Sequence, residues 1–384
     1  MKFSKILALI CILVVTASLC TSGIARAQLG GPFAKKKAAA PAPVMLYPIQ
    51  DEDSFQTVAK SFHKIPFNDP QLEFSMLLPK DWTSEETLQS DATGTLNREL
   101  VSEIAHFSSP VINTMRAAVI LQSIKLEREI SAESWLKNYI VTGGYDLQDK
   151  IVAVDDRKAT ANCVITSDGK SSYVQMLVQI NGSNAVVVRF ESPMYLKDSM
   201  AFLAKRSLDS FRFILATDHS IEVQKTFSFA DVVKFSYPES WGPNNLDVKD
   251  SRSMSMQLYS KGEGGHIQGL IRFVVVKRSA DTSLKKEVED LKKYFDGVLK
   301  LDFKKLVSSD KAPTSSRFLF SRYEVYQVAS KKEESPSNQE IRLVALGDKD
   351  WYVFAFLLTP ADSENFYTWA SNTQSFDMIV KSLK

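Results

Sequence analysis

Leu72-Glu73-Phe74-Ser75-Met76-Leu77-Leu78-Pro79-Lys80-Asp81-Trp82 is echoed further on by Val233-Lys234-Phe235-Ser236-Tyr237-Pro238-Glu239-Ser240-Trp241. Both read as an apolar strand stopped by Pro-x-x-Trp, and the two tryptophans stand 159 positions apart. A serine-led helix over Ser131-Ala132-Glu133-Ser134-Trp135-Leu136-Lys137-Asn138-Tyr139 recurs from Ser283 to Tyr294 and Phe295. In each copy the serine can cap a helix whose apolar residues return every three or four positions. Ala185-Val186-Val187-Val188-Arg189-Phe190 corresponds to Trp351-Tyr352-Val353-Phe354-Ala355-Phe356, with the phenylalanines 166 apart. Ser210-Phe211 and Ser375-Phe376, at offset 165, close a helix in each half. Four landmarks in one order, with the helix tyrosines, Tyr139 and Tyr294, 155 apart and the others between 159 and 166, point to a tandem duplication.

The turns fit the same plan. Asp168-Gly169 and Asn181-Gly182 suit the left-handed backbone of tight hairpins, so the flanking strands should be antiparallel neighbours. In the second half Gly347-Asp348 stands for the latter. A longer charged loop, Ser330-Lys331-Lys332-Glu333-Glu334-Ser335-Pro336-Ser337, stands for the former and reads as solvated, with recognition as the alternative. One module should run strands near 72–78, 102–108 and 117–125, a helix at 131–141, strands near 149–154, 159–166, 172–180 and 184–190, and a helix at 196–210. The second should run strands near 231–237, 254–260 and 268–276, a helix at 283–298, strands near 301–308, 316–329, 339–346 and 351–358, and a helix at 362–381. Phe55, Val58, Ala59 and Phe62 predict an extra helix over 52–64. Strands grouped between helices, rather than alternating with them, predict an α+β fold of two tandem α/β sandwich modules, each a mainly antiparallel sheet covered by helices.

This pattern resembles the superfamily of the photosystem II extrinsic protein PsbP, the Ran-binding Mog-type proteins and exported bacterial relatives such as DcrB. Residues 74–82, the helix over 131–139, the Asp168-Gly169 and Asn181-Gly182 hairpins and the helix closing at Phe211 carry the likeness in the first module. Residues 235–241, 283–294 and 351–376 carry it in the second. The resemblance covers most of 47–384, once per module, and implies a binding or assembly factor rather than an enzyme. Two modules, with no plastid transit segment before the signal, argue against a photosystem role.

The chain has 384 residues, 44% hydrophobic and 24% charged, which is globular composition. Met1-Lys2-Phe3-Ser4-Lys5, an apolar run from Ile6 to Leu19 and Ala25-Arg26-Ala27 form a secretory signal over 1–27, cleaved near Ala27. The apolar run is too short for a spanning anchor, and Cys20 suggests a lipoprotein alternative that Leu19 does not favour. Residues 28–46, rich in Ala, Pro and Lys, read as a linker. Lys35, Lys36 and Lys37 give it at most peripheral contact with anionic lipid. Removing the signal takes away Lys2, Lys5 and Arg26 and leaves 44 basic against 45 acidic groups, so nothing in the global charge calls for nucleic acid. The modules then span 47–217 and 218–384, in a periplasmic or secreted protein. Of three cysteines only Cys163 remains, so an internal disulfide is impossible and the residue reads as a small buried apolar group.

Recognisable chemistry is sparse. His63, His106, His219 and His266 form no ligand pair, and no P-loop, nucleophile elbow or dinucleotide fingerprint occurs. Gly262-Glu263-Gly264-Gly265-His266 lies between strands and reads as a hairpin, and Asp51-Glu52-Asp53 as the acidic start of a helix. The carboxylate pairs Asp155-Asp156, Glu85-Glu86 and Glu333-Glu334 are sequence neighbours that point apart on a strand or turn. Trp82 and Trp241 should close one end of each core, with ligand stacking as the alternative. Trp351, Tyr352, Phe354, Phe356, Phe366, Tyr367 and Trp369 should be mostly core, any excess on an exposed sheet face marking an interface. No catalytic, cofactor-binding or metal residue is assigned and no cofactor is expected. The expected function is a non-enzymatic binding or assembly factor for a protein partner in the bacterial envelope; the alternative is a periplasmic carrier of a small apolar or lipid ligand.

Overall fold

The computed structural model describes residues 51–384 except 86–94, 97–98, 101, 113, 168, 230–231, 251–252, 263–264, 315–316 and 332–337. The signal, the lysine-bearing linker, Asp168, Glu86 and Glu333-Glu334 of the charged loop lie outside the described residues. The described residues open with α1 (Glu52–Val58), β1 (Ala59–Lys64), β2 (Phe74–Pro79), β3 (Thr83–Glu85), β4 (Thr95–Leu96), β5 (Glu99–Leu100), β6 (Ser102–Ser108) and β7 (Ala118–Lys125). Then come α2 (Ala132–Thr142), β8 (Asp146–Leu147), β9 (Val152–Asp155), β10 (Lys158–Ser167), β11 (Lys170–Asn181), β12 (Asn184–Pro193), α3 (Lys197–Ser210) and β13 (Arg212–Phe213). The second half holds β14 (Gln224–Phe229), β15 (Val233–Pro238), β16 (Trp241–Asp250), β17 (Ser253–Lys261), β18 (Ile267–Lys277) and α4 (Leu284–Gly297). It ends with β19 (Leu301–Asp310), β20 (Phe320–Ser330), β21 (Asn338–Gly347), β22 (Trp351–Pro360) and α5 (Phe366–Ser382).

The fold is α+β, with two antiparallel sandwiches. The first large sheet has the order β3-β6-β7-β12-β11-β10-β8, with β9 also on β10, and the second has the order β16-β17-β18-β22-β21-β20-β19. Position by position the two orders correspond. Gly169 (φ 73°) and Gly182 (φ 58°) turn the β10–β11 and β11–β12 hairpins in the left-handed region that glycine tolerates. Ser131 and Ser283 cap α2 and α4 as their spacing requires. The glycine-rich stretch is the β17–β18 turn, closed by Gly262 N donating to His266 O at 2.9 Å.

Each large sheet is covered on both faces. On the first, α2 packs through Trp135, Leu136, Tyr139 and Ile140 against Val174, Met176, Val178 and Val187. The opposite face meets α3 together with a small sheet, β1-β2-β13. In the second module α4 takes the first face, while α5 and the β14-β15 ribbon take the other. The repeated Pro-x-x-Trp strands, β2 and β15, therefore belong to the small sheets. Trp82 and Trp241 follow them into the core, each 2% exposed.

Three expectations are corrected. The helix over 52–64 stops at Val58, and Ala59–Lys64 pairs with β2 along its whole length, from Ala59 with Pro79 to Lys64 with Phe74. The helical spacing of Phe55 and Phe62 yields because the ladder satisfies six backbone positions and still packs Phe62 edge-on against Phe107, with centroids 5.0 Å apart. The pairing of Phe190 with Phe356 fails as well. Phe190 faces α3 and Phe356 faces α4, and on a strand an odd slip of register exchanges the two faces. The strand near 149–154 is two short pieces, β8 and β9, both on the outer edge of β10.

Candidate functional site

The described residues from 51 onward belong to one compact unit, so the two sandwiches are held together. The helix α5 does much of this. Its first turns put Ala370 into the core under α2, with Phe366, Tyr367 and Trp369 packed against it. Its last turns put Phe376, Ile379 and Val380 into the second module's own core. Phe366, Tyr367 and Trp369 lie on a helix rather than an exposed sheet face, and they pack against the first module.

A cleft of about 500 Å³ lies where the two modules meet. One wall is the start of α2 and the turn after β9. Ser131 Oγ accepts from Ser134 N at 3.2 Å, which fixes the helix start and presents Glu133 and Lys137 along one side. Asp155 Oδ1 accepts from Arg157 N at 2.7 Å and tightens the turn, and Asp156 O accepts from Ala132 N at 2.9 Å, tying the turn to the helix. The other wall is α5, whose Trp369, Thr373 and Asp377 recur every four residues, together with Arg342 of β21.

The second wall is a half-buried polar cluster. Arg342 donates from Nε to Glu340 at 2.7 Å and from Nη1 to the Tyr323 hydroxyl at 3.3 Å, and its Nη1 lies 3.5 Å from Asp377 Oδ2. Its guanidinium stands 5.5 Å over the Trp369 ring. Tyr323 donates to Asp377 Oδ1 at 2.6 Å. Burial holds the Asp377 carboxyl above its ordinary value although Arg342 and Tyr323 favour its ionised form. Burial, and then the Asp377 charge, push the Tyr323 hydroxyl up. The walls are bridged by Lys381 to Asp156 at 2.6 Å and by Lys137 to Asp362 at 3.4 Å. Trp369 Nε1 is buried and finds no hydrogen-bond partner among the described residues.

A second junction lies in the loop after β7. Arg128 donates to Ser260 Oγ at 2.9 Å and to Lys261 O at 2.6 Å. Next to it, Glu129 and Glu222 each accept the other's backbone N–H, at 3.1 and 3.2 Å. Ser240 N donates to the second oxygen of Glu222 at 3.0 Å. Both glutamates are buried, and burial, with the Glu222 charge adding to it, raises the Glu129 carboxyl above its usual range.

The residues weighed from the sequence scatter. His63 meets Glu73 at 2.6 Å, and His106 lies 3.6 Å from Glu103 and 3.7 Å from Glu85. The backbone carbonyl of His219 receives Arg157, and His266 sits in its hairpin. None of the four lines the cleft. No group of three or more His, Cys, Asp or Glu among the described residues could hold a metal ion. Cys163 is buried, its thiol pushed up to about 11 by desolvation. Glu85 is bonded to Ser108 at 2.6 Å. Of the carboxylate pairs, Asp155-Asp156 is described in full and reaches the cleft. Arg342 and Asp377 escaped the sequence reading because their partners are remote in the chain; Trp369 was read there as core or interface, and the aromatic cluster at 366–369 was the available signal.

No protein-family model matches the chain, and no curated protein matches it. Solved structures do. The chain is similar to cyanobacterial PsbP (CyanoP) from Synechocystis at 10% identity, over 41% of this chain and 92% of that one, with a TM-score of 0.30. It is similar to TplEi, an immunity protein of T6SS from Pseudomonas aeruginosa, at 10% identity, over 85% and 96%, with a TM-score of 0.23. A Pseudomonas aeruginosa protein of unknown function matches at 12% identity over 40% and 94%, with a TM-score of 0.21. PsbP is therefore among the structural neighbours. None of the helices among the described residues is long and apolar enough to cross a membrane.

Proposed function

We propose that the chain is an exported, non-enzymatic binding or assembly factor of a bacterial envelope complex, built from two PsbP-like modules and receiving a protein partner in the cleft between them. The observation that carries this reading is the cleft itself, with walls from both modules and ion pairs across it. A surface assembled by two modules gives a partner contacts that neither module offers alone. Charged walls suit a polar protein segment better than an acyl chain, which weighs against the lipid-carrier alternative. The signal over 1–27 would deliver the chain to the periplasm or the medium after processing near Ala27.

The test is affinity capture from envelope extracts with the whole chain, since α5 serves both modules and neither half is a sound bait. Gln374 of α5 also lines the cleft, and wild type should retain a partner that Gln374→Arg, placing a bulky cation there, does not. Retention of the same proteins by both, or of none by wild type, would refute the cleft as the binding surface.

A further inference from the structure

Beside the cleft the first large sheet ends in an unusual edge. All four residues of β9 are exposed, and they include Val152 at 48% and Val154 at 60%. Leu147 of the neighbouring β8 is 43% exposed. Both strands pair inward with β10, and among the described residues no strand pairs with their outer side. An open edge with apolar side chains is a template for strand addition. Unlike β19, the edge of the second sheet, β9 carries no lysine to discourage it.

The same edge runs into the cleft, where Ala153, Val154 and Asp155 form part of the wall. The charges there are unequal. Asp156 is paired with Lys381, Asp377 with Arg342, and Lys137 with Asp362. Glu133 and Asp155 have no cationic partner among the described residues. Each serves its own element, one in the first turn of α2 and the other in the β9–β10 turn, and each leaves a negative charge at the rim.

Taking the cleft as the partner site proposed above, we infer that β9 and the cleft form one groove for an extended, basic segment of the partner. The segment's backbone adds to β9 as an extra strand. Its apolar side chains lie beside Val152 and Val154, and a lysine or arginine reaches Glu133 and Asp155. Alternate residues of a strand project to the same side about 7 Å apart, so apolar and basic residues should alternate in the segment.

The probes are the peptides acetyl-Val-Lys-Val-Lys-Val-amide and acetyl-Val-Glu-Val-Glu-Val-amide, titrated into the whole chain. The readout is the indole N–H resonance of Trp369, assigned with Trp369→Phe. The lysine peptide should shift it saturably and bind at least about tenfold tighter than the glutamate peptide. Glu133→Gln with Asp155→Asn should cost about tenfold, and so should backbone N-methylation of the peptide. Val154→Lys, at an exposed site, should weaken binding while thermal melting stays as in wild type. Equal binding of both peptides, unchanged binding by the double variant, or no binding would overturn the inference. If Gln374→Arg still abolishes capture of the envelope partner while the lysine peptide does not bind, the cleft remains the partner site and the basic-strand inference alone falls.

Discussion

Neutralising Glu129 should stabilise the protein at neutral pH and do nothing in acid. Glu129 and Glu222 are buried, bonded to each other's backbone, and share one side of the module junction. The charged group that faces them from the β9–β10 turn is Arg157, whose guanidinium is already engaged by the carbonyls of Thr217 and His219. The Glu129 carboxyl is raised by burial first and by the Glu222 charge second. A carboxyl raised in the folded state binds its proton more tightly there than in the unfolded chain. Its contribution is therefore greatest in acid, and is lost as pH rises through its folded value toward neutrality. Glu129→Gln keeps a carbonyl oxygen to accept from Glu222 N and Gln224 Nε2, now at 3.1 and 3.4 Å, while removing the charge. Like charges this near interact by a few kcal/mol at an effective dielectric of about 20, and Arg157 offsets part of that. The variant should gain about 1–2 kcal/mol at pH 8 and nothing near pH 4, on the same Coulomb scale. Chemical denaturation of both proteins across that range reads the difference directly. A constant loss at every pH would show that hydrogen-bond geometry, not charge, governs the site, and would refute the reasoning.

Trp82→Ala and Trp241→Ala should each cost about 3–5 kcal/mol in urea unfolding, because both rings are 2% exposed; a loss below about 1 kcal/mol would place them outside the core. Gly269→Ala should cost about 1–3 kcal/mol by the same measurement, since an added Cβ would sit 2.8 Å from the Trp241 ring and 2.6 Å from the Asn372 amide. The Cys163 thiol, buried and pushed up to about 11, should resist a disulfide reagent at pH 8 in the native protein and react once denaturant is added; rapid native labelling would contradict its burial. Lys381→Ala breaks a half-exposed ion pair and should change stability by less than about 1 kcal/mol. Arg128→Ala strands the fully buried Ser260 and should cost more.

What could be read from the sequence was local. Ser131 and Ser283 cap helices and Gly169 and Gly182 turn hairpins, because each acts through neighbours a few positions away; Trp82 and Trp241 could be read as core from their residue type after a proline-stopped strand, although their contacts are remote. Failures began where a distant segment decided the outcome. The stretch 59–64 has a helical pattern and becomes a strand because β2 lies alongside it. Phe190 and Phe356 match as letters yet face opposite layers, since side-chain alternation on a strand is invisible to a count that is off by one. The cleft was least legible of all. Its bridges join residues 225 positions apart, Lys137 with Asp362 and Asp156 with Lys381, and no local pattern announces such a pairing.

The helix α5 has a consequence for how the molecule comes to be. Half of it completes the first sandwich, yet it follows that sandwich's last helix by more than 150 residues of chain. While the chain is being made, the first sandwich exists for a time with the seat for Phe366, Trp369 and Ala370 vacant. It cannot finish early. The two sandwiches must mature together, in whichever compartment first holds the whole length, and a chaperone that shields that seat would meet a surface that vanishes on completion.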